Sequence, residues 1–104
     1  MSDKHVTVTL SEEAFQLARA ASHRDVALHR ITMGKILDTR IDISLGNEHL
    51  CRHPILTLDE ARELHEYYRR ATDTFIRIGD TARALIAVKA RATIRHEIWK
   101  AAFS

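Results

Sequence analysis

The sequence predicts a mainly α fold opened by a single β-strand: a strand and two short helices over residues 1–40, a linker over 41–56, and a helical hairpin over 57–104. Three observations predict it. Lys4-His5-Val6-Thr7-Val8-Thr9-Leu10 alternates polar and apolar residues with period two, as a strand with one buried face does. Apolar residues then recur at helical spacing, first at Ala14, Leu17, Ala18 and Ala21, and again at Leu28, Ile31, Ile36 and Leu37. From Thr57 onward, apolar positions three and four apart continue almost to the last residue.

Each element has its own punctuation. Ser11-Glu12-Glu13 ends the strand and starts the first helix, because the Ser11 hydroxyl suits an N-cap and the two carboxylates sit at the positive end of the helix dipole. A break falls near Arg24-Asp25. The second helix takes up at Val26-Ala27-Leu28 and contains Gly34, which costs about 1 kcal/mol relative to alanine. Ile41, Ile43 and Leu45 alternate with Asp42 and Ser44, as a short strand or as the frayed end of the preceding helix. Gly46-Asn47 is a turn signal, and His53-Pro54 enforces extended geometry.

The C-terminal half is written as helix. Thr57-Leu58-Asp59-Glu60 is a capping box. Ala61, Leu64, Tyr68, Ala71, Phe75 and Ile78 form one apolar stripe, with Tyr68 in the core and Tyr67 facing another way. Asp59, Glu60, Glu63 and Glu66 crowd the helix start and Arg69, Arg70 and Arg77 its later part, as the dipole prefers. Ile78-Gly79-Asp80-Thr81 reads as stop and restart, with glycine as C-cap and Asp80 as the next N-cap, one continuous helix being the alternative. The last helix, from about Thr81 to Ala102, has two apolar stripes: Ala82, Ile86, Ala90, Ile94 and Ile98, and Leu85, Val88, Ala92, Trp99 and Phe103. A helix apolar on two sides is covered on two sides, and in so short a chain a partner subunit is the natural cover.

A lone strand followed by two short helices leaves its edges unpaired, so it needs a partner strand, most simply from a second copy. In Val6-Thr7-Val8-Thr9-Leu10-Ser11-Glu12-Glu13 and Ala20-Ala21-Ser22-His23-Arg24-Asp25-Val26-Ala27-Leu28-His29-Arg30-Ile31 the chain resembles the ribbon-helix-helix family of DNA-binding proteins, which includes repressors, plasmid proteins and antitoxins. The resemblance covers roughly the first third of the chain. It implies an obligate dimer with an intermolecular ribbon, Val6, Val8 and Leu10 in the dimer core, and His5, Thr7 and Thr9 in the major groove of double-stranded DNA. Lys4, Arg24, Ala27 and Arg30 join the implied DNA contacts, with the start of the second helix near a phosphate. The chain departs from the family at the inter-helix turn, where Asp25, Val26 and Ala27 replace the usual glycine and hydroxyl cap.

Composition narrows the rest. An apolar fraction of 45% belongs to a folded chain. A net charge of +2 permits nucleic-acid binding without demanding it. One cysteine, Cys51, excludes an internal disulfide framework and suits a reducing compartment. The N-terminus is too polar for a signal peptide, and no run approaches the roughly 20 apolar residues of a membrane span, so a cytoplasmic protein without membrane contact is expected.

Two clusters compete for a functional role. His49-Leu50-Cys51-Arg52-His53 sets three metal-type ligands at alternate positions, but the spacing is not a zinc signature and ordinary loop residues are the simpler reading, so no metal is expected. In the last helix Arg83, Lys89, Arg91, Arg95 and Lys100 face only Glu97, a balance of +4, and Arg91 and Arg95 sit one turn apart, as phosphate contacts or as a solvated face with stems over apolar surface. Glycines at 34, 46 and 79 make no phosphate loop, and there is neither a nucleophile elbow nor a histidine pair flanking a helical glutamate, so no catalytic residues and no cofactor are expected.

The function these readings imply is a homo-oligomeric DNA-binding regulator, or a plasmid or phage accessory protein, whose residues 57–104 build the oligomer or receive a protein partner. The alternative is a small helical protein-binding module without DNA binding, in the manner of immunity proteins, phage-encoded inhibitors and adaptors. The strand discriminates between them: pairing with its symmetry mate favours DNA, and packing on its own chain favours the module.

Overall fold

The computed structural model describes residues 4–43 and 49–103. The N-terminal strand exists, and its pairing partner lies in the same chain. Strand β1 (His5–Thr7) and strand β2 (Leu10–Ser11) follow one another with a two-residue break. Strands β3 (Ile41–Ile43), β4 (Leu50–Arg52) and β5 (Ile55–Thr57) come from the segment read as a linker. Two small antiparallel sheets result, one of order β1-β5 and one of order β2-β4-β3. His5 stands opposite Thr57, Leu10 opposite Arg52 and Ser11 opposite Cys51. Between these ladders the Val8 N–H donates to the Pro54 carbonyl at 3.2 Å, so residues 5–11 and 51–57 keep one register throughout. Pro54 has no N–H to return, which explains the gap between the two ladders.

The alternation does what period two requires. Val6, Val8 and Leu10 are buried, and His5, Thr7 and Thr9 are exposed. What buries the three apolar residues is this chain's own core, which also takes in Phe15, Leu28, Ile36, Leu56, Leu64, Tyr68 and Ile94. Burial of Val6, Val8 and Leu10 therefore needs no second copy. Residues 41–56, expected as a linker with one strand at most, carry β3, β4 and the start of β5, because an N-terminal strand with inward apolar residues takes the nearest complementary edge. The expected Leu45 alternation and Gly46-Asn47 turn lie outside the described residues.

Helix α1 (Glu12–Ala21) starts where Ser11 Oγ accepts from the Ala14 N–H at 3.1 Å, as the sequence predicts. A 3₁₀ turn (Ser22–Arg24) leads to the short helix α2 (Val26–Arg30), capped by Asp25, whose Oδ1 accepts from the Leu28 N–H at 3.1 Å. The expected continuation of α2 through Gly34 is instead π-helical over Ile31–Ile36. The Leu37 N–H there reaches back to the Thr32 carbonyl at 2.9 Å. The wider coil turns Ile31 and Ile36 into the core, and it also buries Thr32, whose hydroxyl finds no partner among the described residues.

The hairpin matches its punctuation. Helix α3 (Leu58–Arg77) opens on the Thr57–Glu60 capping box, with 3.1 Å from the Glu60 N–H to Thr57 Oγ1 and 2.8 Å from the Thr57 N–H to Glu60 Oε1. Gly79, at φ +80°, ends it, and Asp80 caps helix α4 (Thr81–Ala102) through the Arg83 N–H at 3.1 Å. Tyr68 is buried and donates to the Ala14 carbonyl at 2.6 Å, while half-buried Tyr67 donates to the Leu17 carbonyl at 2.9 Å. The two rings meet edge-on at 4.9 Å, and their hydroxyls bind α3 to α1. Their burial raises both phenols, Tyr67 to about 12. No helix among the described residues is long and apolar enough to cross a membrane.

Candidate functional site

The two stripes of α4 have different fates. Of the first, Ala90 and Ile94 are buried and Ile86 and Ile98 half-covered, while Ala82 is exposed; Ala84 and Ala87, which neither stripe contained, complete the buried face. Small residues at this seam let the α3 and α4 backbones approach closely. The second stripe stays outside: Leu85 is 53%, Trp99 60% and Phe103 74% exposed. Val88 is half-covered and Ala92 exposed. The Trp99 and Phe103 rings lie 4.9 Å apart at 42°, a paired aromatic end to the stripe.

Charge borders this stripe on both flanks. Arg91 and Arg95 lie on the side of α3, near His65. Lys89 lines a hollow of about 480 Å³ between α4 and the strands, with Thr9, Glu13, His49 and Cys51 on the far wall. Among the described residues, no ion pair engages Lys89, Arg91 or Arg95, while Lys100 pairs with Glu97 at 3.2 Å. Burial, with Arg91 next in effect, holds the His65 imidazole below its ordinary value, and its Nε2 is buried with no partner among the described residues.

The residues expected to touch DNA fall into separate places. Lys4, His5 and Thr7 line a hollow against the end of α4 with Glu97 and Lys100, and Lys4 Nζ donates to the Ala101 carbonyl at 3.0 Å. Thr9 belongs to the Lys89 hollow, and its hydroxyl lies 3.3 Å from His53 Nδ1. Arg24 borders a third hollow beside Tyr67 and Arg70, with Nε 3.3 Å from His23 Nε2. Ala27 is half-covered and Arg30 exposed on α2. The start of α2, expected to face a phosphate, faces the Asp25 carboxylate, which also lies 3.8 Å from Arg70 Nη2. A five-residue helix with its own carboxylate at the N-terminus offers an anion little.

His49, Cys51 and His53 lie along one run, and no three metal-type side chains converge among the described residues. Cys51 is buried, its thiol 3.6 Å from the His49 carbonyl. His53 instead links strands: its Nδ1 meets Thr9, and its Nε2 lies 2.8 Å from Asp42 Oδ1 on β3. This hydroxyl–imidazole–carboxylate chain clasps the N-terminal segment to the outermost strand.

Arg52 is the residue that sequence reasoning missed. Buried on β4, it donates through Nε to Glu12 Oε2 at 2.6 Å and through Nη2 to Glu12 Oε1 at 3.2 Å. Its Nη1 reaches the carbonyls of Leu37 at 2.8 Å and Thr39 at 3.0 Å, and the guanidinium stacks 4.5 Å from the Phe15 ring centre. The Glu12 carboxyl is held below its ordinary value chiefly by this bidentate partner. A signal existed: Arg52, Pro54 and Leu56 share a parity, so an extended segment burying Pro54 and Leu56 also turns Arg52 inward.

Comparison with protein-family models, with curated proteins and with solved structures finds no match for this chain.

Proposed function

We propose that this chain is a small helical protein-binding module that engages its partner through the outward face of α4. The observation that carries this reading is the exposure of Leu85, Trp99 and Phe103 along one face of a helix whose opposite face is buried. Scattered single apolar residues are ordinary on a surface, whereas a contiguous apolar patch marks an interaction site, and Trp99 with Phe103 forms one at the end of this face. An aromatic pair on a rigid helix also suits the anchor role that tryptophan plays in interfaces. The fold's mostly helical make-up and its α3–α4 hairpin provide the stiff platform such a surface requires.

The regulator reading is weaker on geometric grounds. A DNA-reading ribbon presents its outward residues together on a free two-stranded surface. Here Thr7 and Thr9 open into two different hollows, each walled by α4, and Thr9 is tied to His53. The strand has its neighbour in β5, and the α2 terminus carries its own carboxylate.

Affinity capture with the wild-type chain and with Leu85→Asp, followed by titration of the purified captured protein, tests the module. The expected result is a partner that binds wild type and loses at least tenfold in affinity for the variant, whose fold is checked by circular dichroism. Tight binding of the wild type to duplex DNA, with a steep salt slope and no dependence on Leu85, would return the assignment to a DNA-binding regulator.

A further inference from the structure

The outward face of α4 is apolar at its two ends, with Arg95 on one edge and Lys89 on the other. It carries Leu85 and Val88 at one end and Trp99 and Phe103 at the other. Between the ends lie Ala92, Arg95 and His96, and the only carboxylate of the helix, Glu97, is held by Lys100. Val88 and Trp99 are eleven positions apart, about 16 Å along a helix at 1.5 Å per residue.

Resting on the reading of α4 as the docking face, we infer that its occupant is an acidic amphipathic helix of another protein. Its apolar anchors would lie about three turns apart, and its carboxylates would meet Arg95 and Lys89 between them. The argument is one of compensation. A wholly apolar occupant covers Arg95 without a counter-charge and leaves Lys89 only Glu13 across its hollow, and desolvating an unpaired cation is costly. Carboxylates at those positions turn the same burial into charge-assisted hydrogen bonds. A second copy of this chain brings the opposite: Arg83 is held by Asp80 and Lys100 by Glu97, and the remaining Lys89 and Arg95 of this face would meet an identical pair of cations. An anionic bilayer suits the charges less well than a helix does, because Arg95 and His96 interrupt the stripe midway and the α4 inner face is fixed in the core.

Trp99 supplies the readout, as the chain's only tryptophan and a mostly exposed one. The probes are two synthetic helical peptides with identical leucine anchors, one with glutamates and one with lysines between them, titrated against the full chain. The expected result is a saturable blue shift of Trp99 emission with the glutamate peptide, at least tenfold weaker with the lysine peptide and weakened by salt. Arg95→Glu, an exposed substitution, should shift the preference toward the lysine peptide. Equal binding of both peptides overturns the acidic partner while leaving α4 as a docking face. A shift that grows with protein concentration alone assigns the face to a second copy and overturns the inference. A shift seen only with phosphatidylserine-containing vesicles or with duplex DNA, or no response to any probe, overturns both the inference and the reading beneath it.

Discussion

In the α3–α4 hairpin each boundary is closed by residues within a few positions of it: Thr57 with Glu60 at the start, Gly79 and Asp80 at the turn. Around Arg52 nothing is local. Its guanidinium reaches Glu12, forty positions away, and the carbonyls of Leu37 and Thr39, fifteen and thirteen positions away. The hairpin thus spreads its stability over caps and a long seam, each worth a little. The strand region concentrates it in one side chain that joins α1, the end of the π-helical turn and β4. A region held this way fails as a unit when its hub is removed, whereas the hairpin loses stability in small steps.

The most severe test of that contrast is Arg52→Met. It leaves the part-exposed Glu12 without its partner and uncovers the Ile36, Leu37 and Thr39 carbonyls, and losing hydrogen bonds made by a charged group costs about 1.5–3 kcal/mol. Denaturant unfolding should show that loss, and amide exchange should rise first in β3 and β4 while α3 stays protected. Equal loss of protection in α3 would break the contrast.

Next comes Gly79→Ala. A Cβ there meets nothing within 4 Å, so the whole cost is the φ of +80°, about 1–2 kcal/mol for an L-residue. The variant should unfold at lower denaturant with unchanged protection around Arg52. A loss above that range would mean that the hairpin too depends on a single position.

Thr32→Val should act in the opposite direction. The buried hydroxyl has no partner among the described residues, and removing an unsatisfied polar group while keeping the shape recovers about 1 kcal/mol. A destabilised variant would mean that the hydroxyl is satisfied in solution.

The gentlest probe is pH. His65 has a folded-state value below its ordinary 6.5, so as pH falls below 6.5 the unfolded chain takes the proton first and stability declines. Glu12 lies below its ordinary 4.5, so its contribution is complete above 4.5 and is lost as pH falls through its folded-state value. Two windows follow, the upper from His65 and the lower from Glu12 at the Arg52 hub together with Glu66, which Arg69 also holds below its ordinary value. His65→Gln should flatten only the upper window and Arg52→Met should reduce only the lower, as followed by denaturant midpoints across pH.

The helices of the C-terminal half, their caps and turn, the cap of α1, and the inward set Val6, Val8 and Leu10 were legible along the chain. Capping, dipole and periodicity act within one or two turns, so the residues that decide them are neighbours in the chain. The two apolar sides of α4 were legible as well. Which side faces the core was settled by packing: Ala90 and Ile94 of the first stripe go inward together with Ala84 and Ala87, which neither stripe contained, and Leu85, Trp99 and Phe103 stay outside. The partner of the N-terminal strand was settled in the tertiary structure too. Edge pairing is set by whichever complementary strand lies nearest in space, and here that is residues 51–57, forty or more positions on, with Arg52 turned inward to meet Glu12.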